Sequence, residues 1–192
     1  NGVEVGTQKA RELCEKYKLP RMFFVSNMDV DNASFRQVVE DLTELYGKKI
    51  APIHLPIREN EKFVGYVNVV KMGGRRFTNL SDYEECEIPE YSKKNLGIAR
   101  DALLEAVAET SEEYMERYFS GEEFTLDEIQ GALREHVIDG SIVPVLMGSG
   151  INCQGFKTLL QVIDRYLPTP DKFECIGVDV STGERFTAKY ND

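Results

Sequence analysis

Two short loops hold residue types from which a site for a polar ligand can be made. Ser26-Asn27-Met28-Asp29 follows the apolar run Met22-Phe23-Phe24-Val25, and Gly148-Ser149-Gly150 follows Ile142-Val143-Pro144-Val145-Leu146. In parallel sheets ligands settle beyond the carboxyl ends of the strands, where loops of this kind lie. A carboxylate such as Asp29 accepts two hydrogen bonds side by side. Read alone, S-N-M-D is also an ordinary turn, because Asn and Asp side chains bond their own backbone. Metal chemistry has little support. Cys14, Cys86, Cys153 and Cys175 are scattered, none forms a C-x-x-C pair, and His54 and His136 lie far from them. That pattern argues against a zinc site and reads as reduced thiols. No G-x-x-x-x-G-K-[ST] occurs in the chain, so it carries no phosphate-cradling loop of that type.

The elements that must position these loops follow from periodicity. A helix is expected over Gly6 to Tyr17, with Ala10, Leu13 and Cys14 on one face and Pro20 closing it. Met22 to Val25 reads as a strand buried on both faces. Asn32 or Ser34 caps the next helix, whose Phe35, Val38, Val39, Leu42, Leu45 and Tyr46 keep helical spacing until Gly47. Ile50 to Leu55 reads as a strand ended by Pro56. From Ile57 the pattern changes: Phe63 to Met72 is extended, Gly73-Gly74 is a turn, and Arg75 to Phe77 begins a return strand of a small antiparallel sheet. A long acidic helix is expected from about Lys93 to Phe119, and Thr125 with Glu128 forms a capping box for a helix through Leu133. Ile142 to Leu146 restores the first pattern, and a helix follows Gly155 until Pro168 and Pro170. The tail from Phe173 alternates weakly around Ser181-Thr182-Gly183, as a linker and hairpin would. The fold class expected is α/β, a parallel sheet with flanking helices interrupted by an inserted α+β subdomain, the two strands flanking the insert pairing with each other.

On these residues the chain resembles the elongation factor G family of translational GTPases. P-R-M-F-F-V-S-N-M-D, residues 20–29, is similar to a family segment ending N-K-M-D. V-P-V-L-M-G-S-G-I-N-C-Q-G-F, residues 143–156, is similar to the family's later loop, where Ser-Ala sits in a like frame. Leu55-Pro56-Ile57, Glu105-Ala106-Val107-Ala108-Glu109-Thr110 and Tyr166-Leu167-Pro168-Thr169-Pro170 match it in the same order. The resemblance implies a partial P-loop-NTPase-like G domain, with residues 1–56 and 141–170 forming its second half. Residues 57–140 would be the inserted subdomain, and 171–192 a linker and the start of a next domain.

It also implies a chemistry for the loops. Guanine presents N1–H and an exocyclic amino group side by side, and the family's last N-K-x-D residue, here Asp29, accepts both. Guanine O6 takes a backbone N–H just after the serine of the second loop. That places Ser149, Gly150 and Ile151 in the nucleotide site with Ser26, Asn27 and Asp29. Adenine, with donor and acceptor exchanged, leaves Asp29 and Gly150 unpaired. Two positions depart from the family: its Asn is Ser26 here and its Lys is Asn27. Loss of the loop tie and of the stem that packs on the base costs on the order of 1–3 kcal/mol of binding. The departures suggest a divergent paralogue and leave open a degenerate pseudo-GTPase acting as a ribosome-binding module. Relatives such as ribosomal protection proteins and class-3 release factors also remain open. The implied parent is a cytoplasmic, ribosome-associated GTPase using GTP and Mg2+. This chain, lacking the phosphate loop and the water-positioning D-x-x-G, is expected to have no catalytic residue, no GTPase activity and no bound nucleotide of its own.

Composition supplies the remaining constraints. The 192 residues carry a net charge of −10. Residues 84–128 hold 14 acidic and four basic side chains, which excludes phosphate-backbone binding by that segment, since this requires clustered Lys and Arg. Such a segment suits either a solvated helix face or a basic protein partner. The resemblance points to the flexible stalk protein of the large ribosomal subunit, met by Glu109, Glu112, Glu113 and Glu116, whose spacing of three and four would put most of them on one helical face. No run of about 18 apolar residues is present, and Asn1 to Ala10 has no signal-peptide pattern, so no membrane contact is expected. The missing sheet neighbours of a half G domain would leave the Met22–Val25 edge open to self-association.

Overall fold

The computed structural model describes residues 2–79, 82–172 and 174–188. Helix α1 (Val5–Lys16) leads into strand β1 (Phe23–Val25), helix α2 (Phe35–Tyr46) and strand β2 (Ile50–Pro52). An antiparallel set follows: β3 (His54–Glu59), β4 (Lys62–Asn68), β5 (Gly73–Phe77) and β6 (Tyr83–Cys86). Then come α3 (Lys93–Ala108), α4 (Glu112–Ser120) and α5 (Leu126–His136), before β7 (Val143–Met147), α6 (Phe156–Tyr166) and the hairpin β8 (Cys175–Val178) and β9 (Arg185–Ala188). Among the described residues no helix is long and apolar enough to cross a membrane.

The fold is mixed α/β, with a parallel sheet flanked by helices and a second, antiparallel sheet. The parallel sheet has the order β1-β7-β2. Phe23 pairs with Val145 on one side of β7, and Ile50 with Val143 on the other. β2 and β7, which flank the antiparallel sheet and α3–α5 in sequence, are therefore neighbours, as the alternation of elements requires. The uniformly apolar β7 is buried at every position, the burial that a central parallel strand needs. The second sheet runs β3-β4-β5-β6. One core, containing Ile53, Val67, Leu103, Leu133, Leu146 and Val162, joins the two sheets to α3, α5 and α6. A second packs Met28, Phe35, Leu42, Phe63, Val145 and Met147 beneath the first polar loop.

Several local expectations are corrected. β1 is half-buried along its length, because it is the edge strand of three and not an interior one. The inward side of α1 is Thr7, Arg11 and Cys14, while Ala10 and Leu13 are exposed, since Arg11 rather than an aliphatic residue packs on the Tyr46 ring, 4.9 Å from its centroid. The segment from Ile50 forms two strands, and Pro56 lies within the second, opposite Tyr66. Gly73 and Gly74 belong to β5, and the chain turns at Val69–Met72 instead. Asn68 Oδ1 accepts the Lys71 N–H there, and Gly74 is small because a side chain would strike the Cys86 carbonyl, 2.6 Å from where its Cβ would stand. The single helix expected from Lys93 to Phe119 is two helices, broken at 109–111. Ser111 Oγ accepts the Tyr114 N–H and starts α4 as its N-cap. Ser34, not Asn32, caps α2. The Thr125–Glu128 capping box is present, with α5 running to His136. Phe173 and residues 189–192 of the expected tail lie outside the described residues.

Candidate functional site

The two polar loops meet because β1 and β7 are adjacent and parallel, which sends both carboxyl ends to the same edge. Backbone hydrogen bonds lock them together: Gly148 N–H donates to the Val25 carbonyl (3.0 Å), and Met28 N–H to the Gly148 carbonyl (3.1 Å). Met28 is 1% exposed within the second core and anchors the first loop from below. Its neighbours face the other way. Ser26 and Asn27 are exposed, and Asn27 has φ +60°, a left-handed conformation that Asn tolerates better than most residues.

Asp29 is half-buried, and its Oδ1 has no hydrogen-bond partner while shielded from solvent. A buried, unpaired acceptor costs roughly 1–3 kcal/mol, and Asp29 Oδ1 is one of a few such atoms among the described residues.

The second loop is closed by its own hydrogen bonds. Ser149 is 0% exposed. Its backbone exchanges hydrogen bonds with Gln154 (2.9 and 3.1 Å), and its Oγ accepts the Asn152 N–H (3.2 Å). Gly148 and Gly155 are demanded by the packing. A side chain on Gly148 would enter the Phe24 ring and the Gln154 carbonyl, and Gly155 has φ +85° with the Met147 carbonyl 2.7 Å from where its Cβ would stand. Gly150 and Ile151 stay exposed at the tip, Ile151 at 81%, leaving their backbone open to a ligand.

Three residues that sequence reasoning missed hold this arrangement. Arg58 of β3 donates from one Nη to the carbonyls of Met28 (2.8 Å) and Ala33 (3.2 Å). Gln154 Nε2 donates to the Phe63 carbonyl of β4 (3.2 Å), and Asn152 pins Ser149 as described. Asn152 and Gln154 stand in the G-S-G-I-N-C-Q-G frame, which hinted at them. Nothing local marks Arg58, whose partner lies 30 residues away.

The helix break separates one of the four acidic residues from the other three. Glu109 lies in the break before α4, and its carboxylate is 3.7 Å from Lys48, which Glu105 also pairs at 2.8 Å. Glu112, Glu113 and Glu116 lie on α4, all exposed. Three of the four thus stand within two turns of one helix, and Glu109 alone is set apart. Among the described residues no group of three or more His, Cys, Asp or Glu side chains is placed to hold a metal ion.

Comparison with known proteins assigns this architecture. Residues 1–169 match the Elongation factor Tu GTP binding domain family. A crystal structure of a protein from Thermus thermophilus is similar, with a TM-score of 0.79 and 35% identity over 89% of this chain. The chain spans 26% of the length of that protein.

Proposed function

The chain belongs to the elongation factor Tu GTP-binding-domain family, a family of GTPases, and from that premise we propose that it forms the guanine-base side of a translational GTPase's nucleotide site. The observation that carries this reading is the juxtaposition of the half-buried Asp29 loop and the Gly148–Ile151 loop, joined by two backbone hydrogen bonds at the carboxyl ends of neighbouring parallel strands. Asp29 accepts guanine N1–H and the exocyclic amino group. Gly150 N–H, with Ile151 beside it, donates to O6, and Ser149 keeps that loop in place. Ser26 and Asn27 border the base.

Within the family the parent is read as a divergent relative of elongation factor G, a ribosome-associated, cytoplasmic factor using GTP with Mg2+ for tRNA and mRNA translocation. Residues 1–56 and 141–170 supply the second half of its G domain, residues 57–140 an inserted module, and 171–192 the way into a further domain. The phosphates and Mg2+ are not met by any motif of this chain, so the chain by itself is proposed to be inactive. Glu112, Glu113 and Glu116 on α4, with Glu109 at its approach, are proposed to face a basic ribosomal partner such as the stalk protein. The unpaired side of β1, an edge strand, supports self-association of the chain in isolation.

The test is calorimetric titration of the full-length parent with GDP and ADP. The reading expects GDP to bind and ADP to bind far more weakly, with Asp29→Ala erasing most of the difference. Equal affinity for the two nucleotides in the unmutated parent would leave the pseudo-GTPase alternative in its place.

A further inference from the structure

The inserted hairpin reaches back under the site. β3 and β4 are joined by the two-residue turn Asn60-Glu61, with φ of +48° and +66°, the left-handed pair that suits tight hairpins. The register of the pair shifts between Ile57 and Arg58, leaving Val64 of β4 as the extra residue opposite them. Arg58, beside this irregularity, reaches the first loop. One Nη donates to the Met28 and Ala33 carbonyls, on either side of Asp29 in sequence, and the other to the Glu61 carbonyl (2.6 Å). Its own peptide is gripped by one hydroxyl: Arg58 N–H donates to Tyr91 Oη (3.1 Å), and that hydroxyl donates to the Arg58 carbonyl (2.7 Å). Among the described residues Arg58 has hydrogen-bond partners only in backbone carbonyls and this tyrosine, and no carboxylate in a salt bridge. A guanidinium engaged by three carbonyls fixes geometry rather than balancing charge. From β4, the Phe63 carbonyl receives Gln154 Nε2 of the second loop, while the Phe63 side chain lies in the core beneath Met28 and Met147.

We propose that the β3–β4 hairpin sets the spacing of the two base-reading loops, with Arg58 the positioning residue for the Asp29 loop and Gln154 its counterpart on the Gly150 loop. This rests on the nucleotide reading above. The insert is then part of the specificity apparatus of the site, acting through Met28 and Ala33 and touching no nucleotide atom. Losing the Arg58 fork lets residues 28–33 drift. The bond to guanine's amino group, which needs Asp29 in a fixed plane, is the first to weaken.

The preference for GDP over inosine diphosphate reads that bond, because inosine lacks the amino group and is otherwise the same ligand. A change in folded fraction alone lowers both affinities and leaves their ratio alone. In the full-length parent the unmutated protein is expected to prefer GDP by about tenfold, the value of one charge-assisted hydrogen bond. Asp29→Ala should bring the ratio to about one. Arg58→Met should lower it by about threefold or more, and Arg58→Lys, which reaches one carbonyl but has no fork, should fall between. If Arg58→Met does not fold, Tyr91→Phe, which frees the Arg58 peptide, should lower the ratio in the same direction. An unchanged ratio in Arg58→Met, Arg58→Lys and Tyr91→Phe, with Asp29→Ala abolishing it, overturns the hairpin's role and leaves the nucleotide reading standing. A ratio that Asp29→Ala also leaves untouched removes both.

Discussion

His54 offers a perturbation whose size follows from its surroundings. It opens β3 at 3% exposure, its ring centroid 4.5 Å from that of Tyr66. It lines a cavity of about 250 Å³ whose other charged groups are Lys71, Arg75, Asp164 and Arg165. Burial first, and the Arg75 charge second, push its pKa down from 6.5 to about 3. The folded chain therefore keeps His54 neutral while the unfolded chain protonates it below pH 6.5. The unfolded state holds more protons between about pH 6.5 and 3, so stability is lost as pH falls through that window. The slope well below 6.5 is about 1.4 kcal/mol per pH unit, and the loss from pH 7 to 4.5 is about 2.5 kcal/mol. Glu128, held down from 4.5 to about 2 first by Arg117 and then by Thr125, adds its own loss from about pH 4.5 downward, which is common to the chain and the variant and cancels in their difference. His54→Phe keeps a ring against Tyr66 and removes the proton. Urea unfolding of the chain and the variant at pH 7, 6, 5 and 4.5 should show the difference between them shrinking by that amount in favour of the variant. Parallel profiles would refute the argument.

Three further outcomes follow from the loops and the helix break. Gly148→Ala forces a methyl group into the Phe24 ring and the Gln154 carbonyl. It should cost about 1–3 kcal/mol in thermal unfolding and weaken GDP binding by the parent together with it. Ser111→Ala removes the N-cap of α4 and should destabilise the chain by about 1 kcal/mol in urea unfolding; a continuous helix through that point would gain from the same change. Ser26→Asn combined with Asn27→Lys, both at exposed positions, should tighten GDP binding by the parent several-fold, measured by calorimetry. No change would mean that these positions do not border the base.

How much could be read from the sequence depends on whether a feature is local. The two polar loops are legible because each follows an unbroken apolar run, and β7 in particular buries every residue of its run. The Thr125–Glu128 capping box is a four-residue signal and needed nothing else. Pairing of β2 with β7 followed from alternation of elements. The break before α4 was hidden because Leu103, Val107, Tyr114 and Tyr118 continue an apolar spacing across it, and only the Ser111 cap interrupts the backbone. Gly73 and Gly74 look like a turn, yet their smallness serves a close cross-strand approach that no local pattern reveals. Arg58 was invisible for the same reason, since its acceptors come from another part of the chain.

The assignment of Asp29 to the guanine edge has a direct test in exchanging its chemistry. Xanthine carries a carbonyl where guanine carries the amino group, so it offers one donor and one acceptor to the position that Asp29 meets. An amide supplies the complement. In the full-length parent, Asp29→Asn should weaken GDP binding and strengthen binding of xanthosine diphosphate, reversing the preference of the unmutated protein by about a hundredfold, two charge-assisted hydrogen bonds' worth. Calorimetry with both nucleotides on both proteins measures it. An unchanged order of affinity in Asp29→Asn would contradict the account, since Asp29 would then not face the base.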